Sequence, residues 1–258
     1  MSNAPCPPER TYRAICFDLD GTLLPMDLDE FMNAYFSLLG ECVAQYGVSW
    51  DDFVLGMKAG IQAMATHTDG RTNEEVFWEH YFSFVDPGAC NWPEVLGDFY
   101  EHDFGKLGDM VVPNPAAASA VATLAEKGYP LILATMPMFP RRAVEWRLRW
   151  AGVDPEQFVY ITTFDNSTSA KPHTSYYQGV LDKLAGASGE DVLMVGNNTV
   201  EDLAFCKLGA DAFLVTDNLI DPVGFDLASV RHGSLADFAA WANMLPSCQN
   251  PACVDKDN

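Results

Sequence analysis

Four short apolar runs constrain this chain more than any other feature: "AICF" (14–17), "PLILAT" (130–135), "FVYITT" (158–163) and "VLMV" (192–195). Each ends at a polar or glycine-containing turn, and "AFLV" (212–215) forms a fifth. None alternates apolar with polar residues, so none has a face meant for water; that is the pattern of strands buried on both sides of a parallel sheet. Helical patterns separate them, at Pro115 to Lys127, Pro140 to Ala151, Ser175 to Leu184 and Glu201 to Lys207. Strands alternating with helices predict an α/β fold with a doubly wound parallel sheet.

The distance between the first two runs is too long for one crossover. Residues 27 to 110 read as several amphipathic helices, "DEFMNAYFSLLGECVAQYG", "WDDFVLGMKAGIQAMATH", "NEEVFWEHYFSFV" and "PEVLGDFYEHDF", punctuated by Gly, Asn, Asp and Pro. This predicts a helical insertion. Its aromatics Phe31, Tyr35, Phe36, Phe77, Trp78, Tyr81 and Phe82 are expected to form the insertion's own core, with one or two lining a substrate pocket. Residues 246–258 read as a frayed polar tail.

At 258 residues, nearly half of them hydrophobic, the chain can bury a sizeable core. Its formal net charge of −21 would repel nucleic acid and anionic membrane surfaces. A small phosphorylated metabolite is still an acceptable partner, because a lysine, a divalent cation and backbone N–H groups outweigh a global field at short range. Seven cysteines, at 6, 16, 42, 90, 206, 248 and 253, lack CxxC spacing, which favours reduced thiols. Cys248 and Cys253 have no partners to complete a zinc set. The N-terminal "MSNAPCPPER" lacks an apolar signal core, and Ser2-Asn3-Ala4 carries no functional weight. The expectation is a soluble, cytoplasmic protein, with no sequence signal of oligomeric state.

Chemistry gathers at the ends of the strands. In "FDLDGTLL", Asp18 and Asp20 alternate on an extended segment, so both carboxylates can face the cavity at the strand's carboxyl end, where open α/β sheets bind ligands. "LILATMPMFP" ends the second run, and "DNSTSAKPHTSYY" follows the third. "VGNNTVED" closes the fourth.

These motifs, in this order, resemble those of the haloacid dehalogenase-like hydrolase superfamily over nearly the whole chain outside the tails. The resemblance implies a Rossmann-like core of residues 1–25 and 112–245, an α-helical cap domain of residues 26–111 and a C-terminal tail of 246–258. It implies that Asp18 attacks phosphorus to form a phosphoaspartate, while Asp20 protonates the leaving oxygen and then activates water. Thr135 and the backbone N–H of Met136 would bind the phosphoryl oxygens, and Lys171, before Pro172, would neutralise Asp18 and the transferring group.

The fourth motif departs from the family form. An aspartate is usual where Asn197 stands, and Asp202 fits the second acidic position. By resemblance, magnesium would be held by Asp18, the Asp20 backbone carbonyl and Asn197, with Asp202, helped by Glu201, binding directly or through water. A charge pair at 4 Å is worth about 4 kcal/mol at a dielectric of 20, offset by desolvation, so magnesium affinity is expected to be weakened roughly tenfold to a thousandfold.

The expected activity is magnesium-dependent hydrolysis of a small phosphomonoester. A sugar-phosphate phosphomutase and a catalytically weakened phosphate-binding protein are the alternatives, and Asp20 argues against carbon–halogen chemistry. "RRAVEWRLRW" places Arg141 and Arg142 near a helix start, where they could help recruit phosphate; a solvated face paired with acids is the commoner outcome for such a cluster. His173 receives no role.

Overall fold

The first apolar run forms β1 (Ala14–Phe17), at the centre of the sheet. On one side it pairs with β2 (Leu131–Leu133), Ile15 opposite Leu131, and β2 pairs with β3 (Tyr160–Ile161). On the other side lie β4 (Val192–Gly196), β5 (Asp211–Val215) and β6 (Arg231–Gly233). The order is β3-β2-β1-β4-β5-β6 with every pairing parallel, the doubly wound arrangement whose strand order reverses beside β1. This computed structural model describes residues 10–254; Cys6, the Ser2-Asn3-Ala4 segment and residues 255–258 lie outside the described residues.

The absence of polar alternation has its cause in two separate cores. Ile15, Phe17, Leu131, Leu133, Leu193 and Val195 point to one face and pack on α5 (Pro115–Glu126), α6 (Arg141–Trp150) and α8 (Leu235–Ala242). Ala14, Cys16, Ile132, Val192 and Met194 point to the other, against α7 (Thr174–Asp182) and the 3₁₀ segment Asp202–Leu208. With period two, each strand needs apolar residues at every position. β6 escapes a hydrophobicity search because it is an edge strand of sequence "RHG" that stays partly exposed.

Two expectations are corrected. The segment expected as a helix from Glu201 to Lys207 is a 3₁₀ stretch, Asp202–Leu208. Residues 246–254 are not frayed: Cys248 N–H donates to the Lys127 carbonyl at 2.7 Å, Ala252 N–H to that of Arg13 at 3.0 Å, and Cys253–Val254 pairs antiparallel with Leu184–Ala185. Backbone hydrogen bonds hold this segment, and those leave no trace in side-chain polarity.

Between β1 and β2 the chain forms α1 (Leu28–Ala44), α2 (Trp50–Thr66), α3 (Asn73–Tyr81) and α4 (Trp92–Asp98), then a π turn, Phe99–Asp103, and a 3₁₀ stretch, Phe104–Met110. Asp27, Ser49 and Thr72 cap the first three helices by accepting N–H groups of Glu30, Asp52 and Glu75, which fixes where each begins. Phe31, Tyr35, Phe53, Phe77, Tyr81 and Trp92 form a third core here. Asn73, fully buried, ties this insertion to the sheet: its Nδ2 donates to the carbonyls of Pro137 at 2.9 Å and Ser169 at 3.3 Å. Those carbonyls belong to the turns that carry Thr135 and Lys171. Among the described residues, no helix is long and apolar enough to cross a membrane.

Candidate active site

Asp18 sits one residue beyond β1, its N–H still donating to the Val195 carbonyl at 2.8 Å, so pairing with β4 fixes its backbone. Gly21 then turns the chain with φ of +80°, a conformation that disfavours side chains. A Cβ there would also come within 2.2 Å of the Asn197 amide nitrogen. The turn brings Thr22 back beneath Asp18, its hydroxyl 3.0 Å from Asp18 Oδ2 and 3.1 Å from Asn197 Oδ1. One hydroxyl proton therefore serves two acceptor oxygens.

Lys171 connects the third and fourth motifs to the first. Its ammonium is buried and donates to Asp18 Oδ1 and Asp202 Oδ1, each at 2.7 Å. Burial alone would favour the neutral amine, but the two carboxylates outweigh it and hold Lys171 well above the usual lysine range. Burial pushes the Asp202 carboxyl up to about 6, against the pull of Lys171. Its second oxygen accepts the backbone N–H groups of Asn197 and Asn198, both at 2.9 Å. Both oxygens of Asp202 are thus taken by protein donors, and the arrangement leaves this residue shaping the turn and placing Lys171 rather than presenting a free oxygen to an ion. Gly196 makes room for it: a Cβ there would lie 2.2 Å from Asp202 Cγ.

Asp20 has a different partner. Arg147, on α6 and 1% exposed, donates Nη1 to Asp20 Oδ2 and stacks its guanidinium 4.4 Å over Phe139. Asp20 Oδ1 and Arg147 Nη2 are both buried without a partner. Burial raises the Asp20 carboxyl above its ordinary value, Arg147 opposes that rise, and Asp18 adds to it. Arg147 is the cavity residue that the arginine-rich helix conceals. Arg141, Arg142 and Arg149 all pair with Glu145, and Arg142 also with Glu101, as a solvated face predicts. Position 147, however, falls on the same helical face as Ala143, Val144 and Leu148, and that apolar spacing is the signal that marks it.

Thr135 is 1% exposed and its Oγ1 has no partner, while its carbonyl is fixed by the hydroxyls of Thr162 at 2.9 Å and Tyr176 at 2.7 Å. A rigid backbone thus carries an unsatisfied hydroxyl. Met136 lines the adjoining cavity, as does Glu201, whose carboxyl burial pushes up to about 7. His173 bonds outward to the Ala65 carbonyl at 3.1 Å.

Four carboxyl groups, of Asp18, Asp20, Glu201 and Asp202, face two cations here, Lys171 and Arg147. Acceptor oxygens outnumber donors, since Asp18 Oδ2 and Asn197 Oδ1 share one proton and Asp20 Oδ1 has none. Among the described residues there is no group of three His, Cys, Asp or Glu side chains arranged to hold a metal. A set of one carboxylate, one amide oxygen and one backbone carbonyl, completed by water, nevertheless suits a hard cation such as magnesium, which takes few protein carboxylates. The Asn197 amide is itself oriented: Nδ2 donates to the Asn218 carbonyl at 2.6 Å, which turns Oδ1 towards Thr22 and Asp18.

Asp18, Asp20, Asn197 and Arg147 open onto one cavity of about 1420 Å³ that runs into the helical insertion. The structure brings Asp18, Lys171, Asn197 and Asp202 into one bonded cluster, while Asp20 pairs with Arg147 and Thr135 presents a hydroxyl with no partner.

Comparison with known proteins shows the family and the fold. The family model for haloacid dehalogenase-like hydrolases matches residues 12–209. The chain is 26% identical, over 188 residues, to pyrophosphatase PpaX of Oceanobacillus iheyensis, covering 73% of this chain and 76% of that one. Among solved structures it is similar in fold to a HAD phosphatase from Thermococcus onnurineus, with a TM-score of 0.56 and 17% identity over 88% of this chain and 96% of that one. It is also similar to CbbY from Rhodobacter sphaeroides in complex with phosphate, at 0.55 and 20% over 88% and 96%.

Proposed function

The chain belongs to the haloacid dehalogenase-like hydrolase family and is a hydrolase; from that premise we propose that it cleaves phosphomonoesters through a phosphorylated Asp18. One observation carries the reading: the carboxylate at the end of the central strand is locked to a buried ammonium, beside a buried hydroxyl and a buried carboxyl oxygen that have no partner. A phosphoryl group supplies acceptors for the Thr135 hydroxyl and the Met136 N–H, and an ester's leaving oxygen supplies an acceptor for a protonated Asp20.

In the first step Asp18 forms a bond to phosphorus as the bond to the leaving oxygen breaks, and Asp20 gives that oxygen its proton. In the second, Asp20 takes a proton from water, which attacks phosphorus, releases inorganic phosphate and restores the Asp18 carboxylate. Lys171 holds Asp18 oriented and offsets charge on the transferring group. Asp202 holds Lys171 and the Asn197 turn. Magnesium, held by Asp18, the Asp20 carbonyl and Asn197, would add positive charge where the phosphoryl oxygens gather it. A phosphomutase would use the same residues and yield an isomer instead of free phosphate. The relative named as a pyrophosphatase makes pyrophosphate one substrate to include.

Assay of a phosphomonoester panel plus pyrophosphate across magnesium concentrations tests this. Magnesium-dependent phosphate release is the expected result, and none at saturating magnesium from a folded protein points to a binding role. Asn197→Asp separates affinity from chemistry. A carboxylate adds charge for magnesium, so half-activation is expected at roughly tenfold lower magnesium. The same change removes the N–H that meets the Asn218 carbonyl and sets oxygen against oxygen, so the metal-free variant is expected to be less stable by about 1–3 kcal/mol. Unchanged magnesium dependence in titrations of activity and Tm would count against Asn197 as a ligand.

Arg147 predicts a pH effect. It pulls down an Asp20 carboxyl that burial has raised, so Arg147→Met is expected to raise that group further. Asp20 must enter the first step protonated, so activity falls as pH rises through its pKa. The alkaline limb of kcat/KM should therefore move upward by about one unit or more in the variant. A limb that stays in place or moves to lower pH contradicts the assignment of Asp20 as the acid.

A further inference from the structure

We infer that the leaving group is a bulky, apolar alcohol: the substrate is the monophosphate of a long aliphatic or polycyclic hydrocarbon rather than of a sugar or small hydroxy acid. The inference rests on the phosphomonoesterase reading above. The cavity of about 1420 Å³ is continuous from Asp18, Asp20 and Asn197 into the space between α1, α2, α3 and α4. Pockets that bury most of a drug-sized ligand run to about 1,000 Å³, so a three-carbon ester would leave most of this volume to water. Away from the carboxylates its wall includes Leu39, Met57, Ile61, Met64, Trp78 and Trp92. Water against such a wall is unfavourable, and an apolar occupant of matching size removes that cost.

Several polar groups along the wall are committed to one another. The Tyr35 and Tyr100 hydroxyls bond together at 2.7 Å, and Arg142 pairs with Glu101 at 2.6 Å. Arg141 pairs with Glu145 at 3.0 Å, and Arg147 with Asp20. Arg142 Nε and Arg147 Nη2 are buried without a partner, but each guanidinium already has a carboxylate as counter-charge. The wall also holds Glu74, Asp165 and Glu201, so a second anionic group on the leaving group would add negative charge to an acidic lining, whereas a hydrocarbon adds none. Methionines at 32, 57 and 64 add unbranched, adaptable side chains to the lining, which suits a long flexible chain.

Contacts remote from phosphorus raise kcat/KM by as much as they bind. Each buried methylene contributes at most about fourfold. The test is a series of n-alkyl monophosphates from methyl to decyl, below their micellar concentrations, at saturating magnesium beside glycerol phosphate, glucose 6-phosphate and pyrophosphate. The inference expects kcat/KM to climb about two- to fourfold per methylene, placing decyl phosphate at least a hundredfold above methyl phosphate and above the three polar compounds. Ile61→Glu and, as a second variant, Met32→Glu put a charge into the apolar wall at partly exposed positions. Each should flatten the climb, lowering the ratio of kcat/KM for decyl phosphate to that for methyl phosphate at least tenfold, with folding checked by circular dichroism.

A flat series with glucose 6-phosphate or pyrophosphate cleaved as well as decyl phosphate overturns the inference and leaves the phosphatase reading intact. If a folded protein hydrolyses no ester, the phosphatase reading fails, and calorimetry still decides the cavity: decylphosphonate binding at least a hundredfold tighter than methylphosphonate supports an apolar ligand, and equal binding overturns it.

Discussion

Asp18→Asn is expected to lower phosphate release by at least about 10⁴-fold while the protein stays folded. In the proposed reaction the Asp18 carboxylate forms the bond to phosphorus, and an amide of the same shape does not act as a nucleophile. A loss of that size corresponds to about 5 kcal/mol of transition-state stabilisation. The fold should survive for reasons the hydrogen bonds make explicit. The oxygen of the substituted amide can still accept from Lys171, and its nitrogen can donate to the Thr22 hydroxyl, which then turns its proton to Asn197. Lys171 keeps Asp202 at 2.7 Å as counter-charge, so no buried cation is abandoned. Phosphate release at saturating magnesium, Tm, and acid-stable labelling of the protein by a radioactive phosphoester measure the three parts of the prediction. A variant with full magnesium-dependent turnover would move the nucleophile away from Asp18.

The main lines of this site are readable in the sequence because its residues stand at the ends of strands, and those strands announce themselves. Runs buried on both faces need apolar residues at every position, so "AICF" and "VLMV" locate β1 and β4, and the residues just beyond them must face the crevice. β6 and the segment 246–254 are hidden for the converse reason. Their attachment is backbone to backbone, through Arg231–Gly233 against β5 and through the N–H groups of Cys248 and Ala252, and composition does not encode that.

Side chains whose role depends on a partner far along the chain are equally hard to read. Thr22 looks like an ordinary turn residue until the fold places Asn197 against it, 175 positions away. Arg147 looks like one of four surface arginines, although its helical face is apolar. Asp202 reads as an acid facing an ion, yet the turn delivers two N–H groups to one of its oxygens and Lys171 to the other. The oxygen count of a motif gives its potential ligands, and only the donors around them decide which are free.

Lys171→Met is where stability and catalysis should fail together, and the two can be separated by pH. The ammonium is buried between Asp18 and Asp202, so its removal leaves two largely buried carboxylates without their shared counter-charge. Breaking a buried pair in this way costs about 3–5 kcal/mol. For a chain of this size that corresponds to a fall in Tm of about 10 °C. Burial already raises the Asp202 carboxyl to about 6 with Lys171 present, and without the opposing cation it rises further. A carboxyl whose folded pKa exceeds its unfolded value stabilises fully below the unfolded pKa and loses that contribution as pH rises through the folded one. The variant should therefore lie nearer to wild type in Tm at pH 5 than at pH 8, and magnesium should recover part of the deficit at pH 8 by returning positive charge. Phosphate release should fall by at least about a thousandfold at every pH, because the cation that offsets phosphoryl charge is missing whichever protonation state the carboxyls adopt. Scanning calorimetry across pH with a parallel phosphate assay reads both effects. A variant whose Tm deficit is the same at pH 5 and pH 8 would show that Lys171 contributes packing alone, and one that keeps its turnover would remove Lys171 from the reaction.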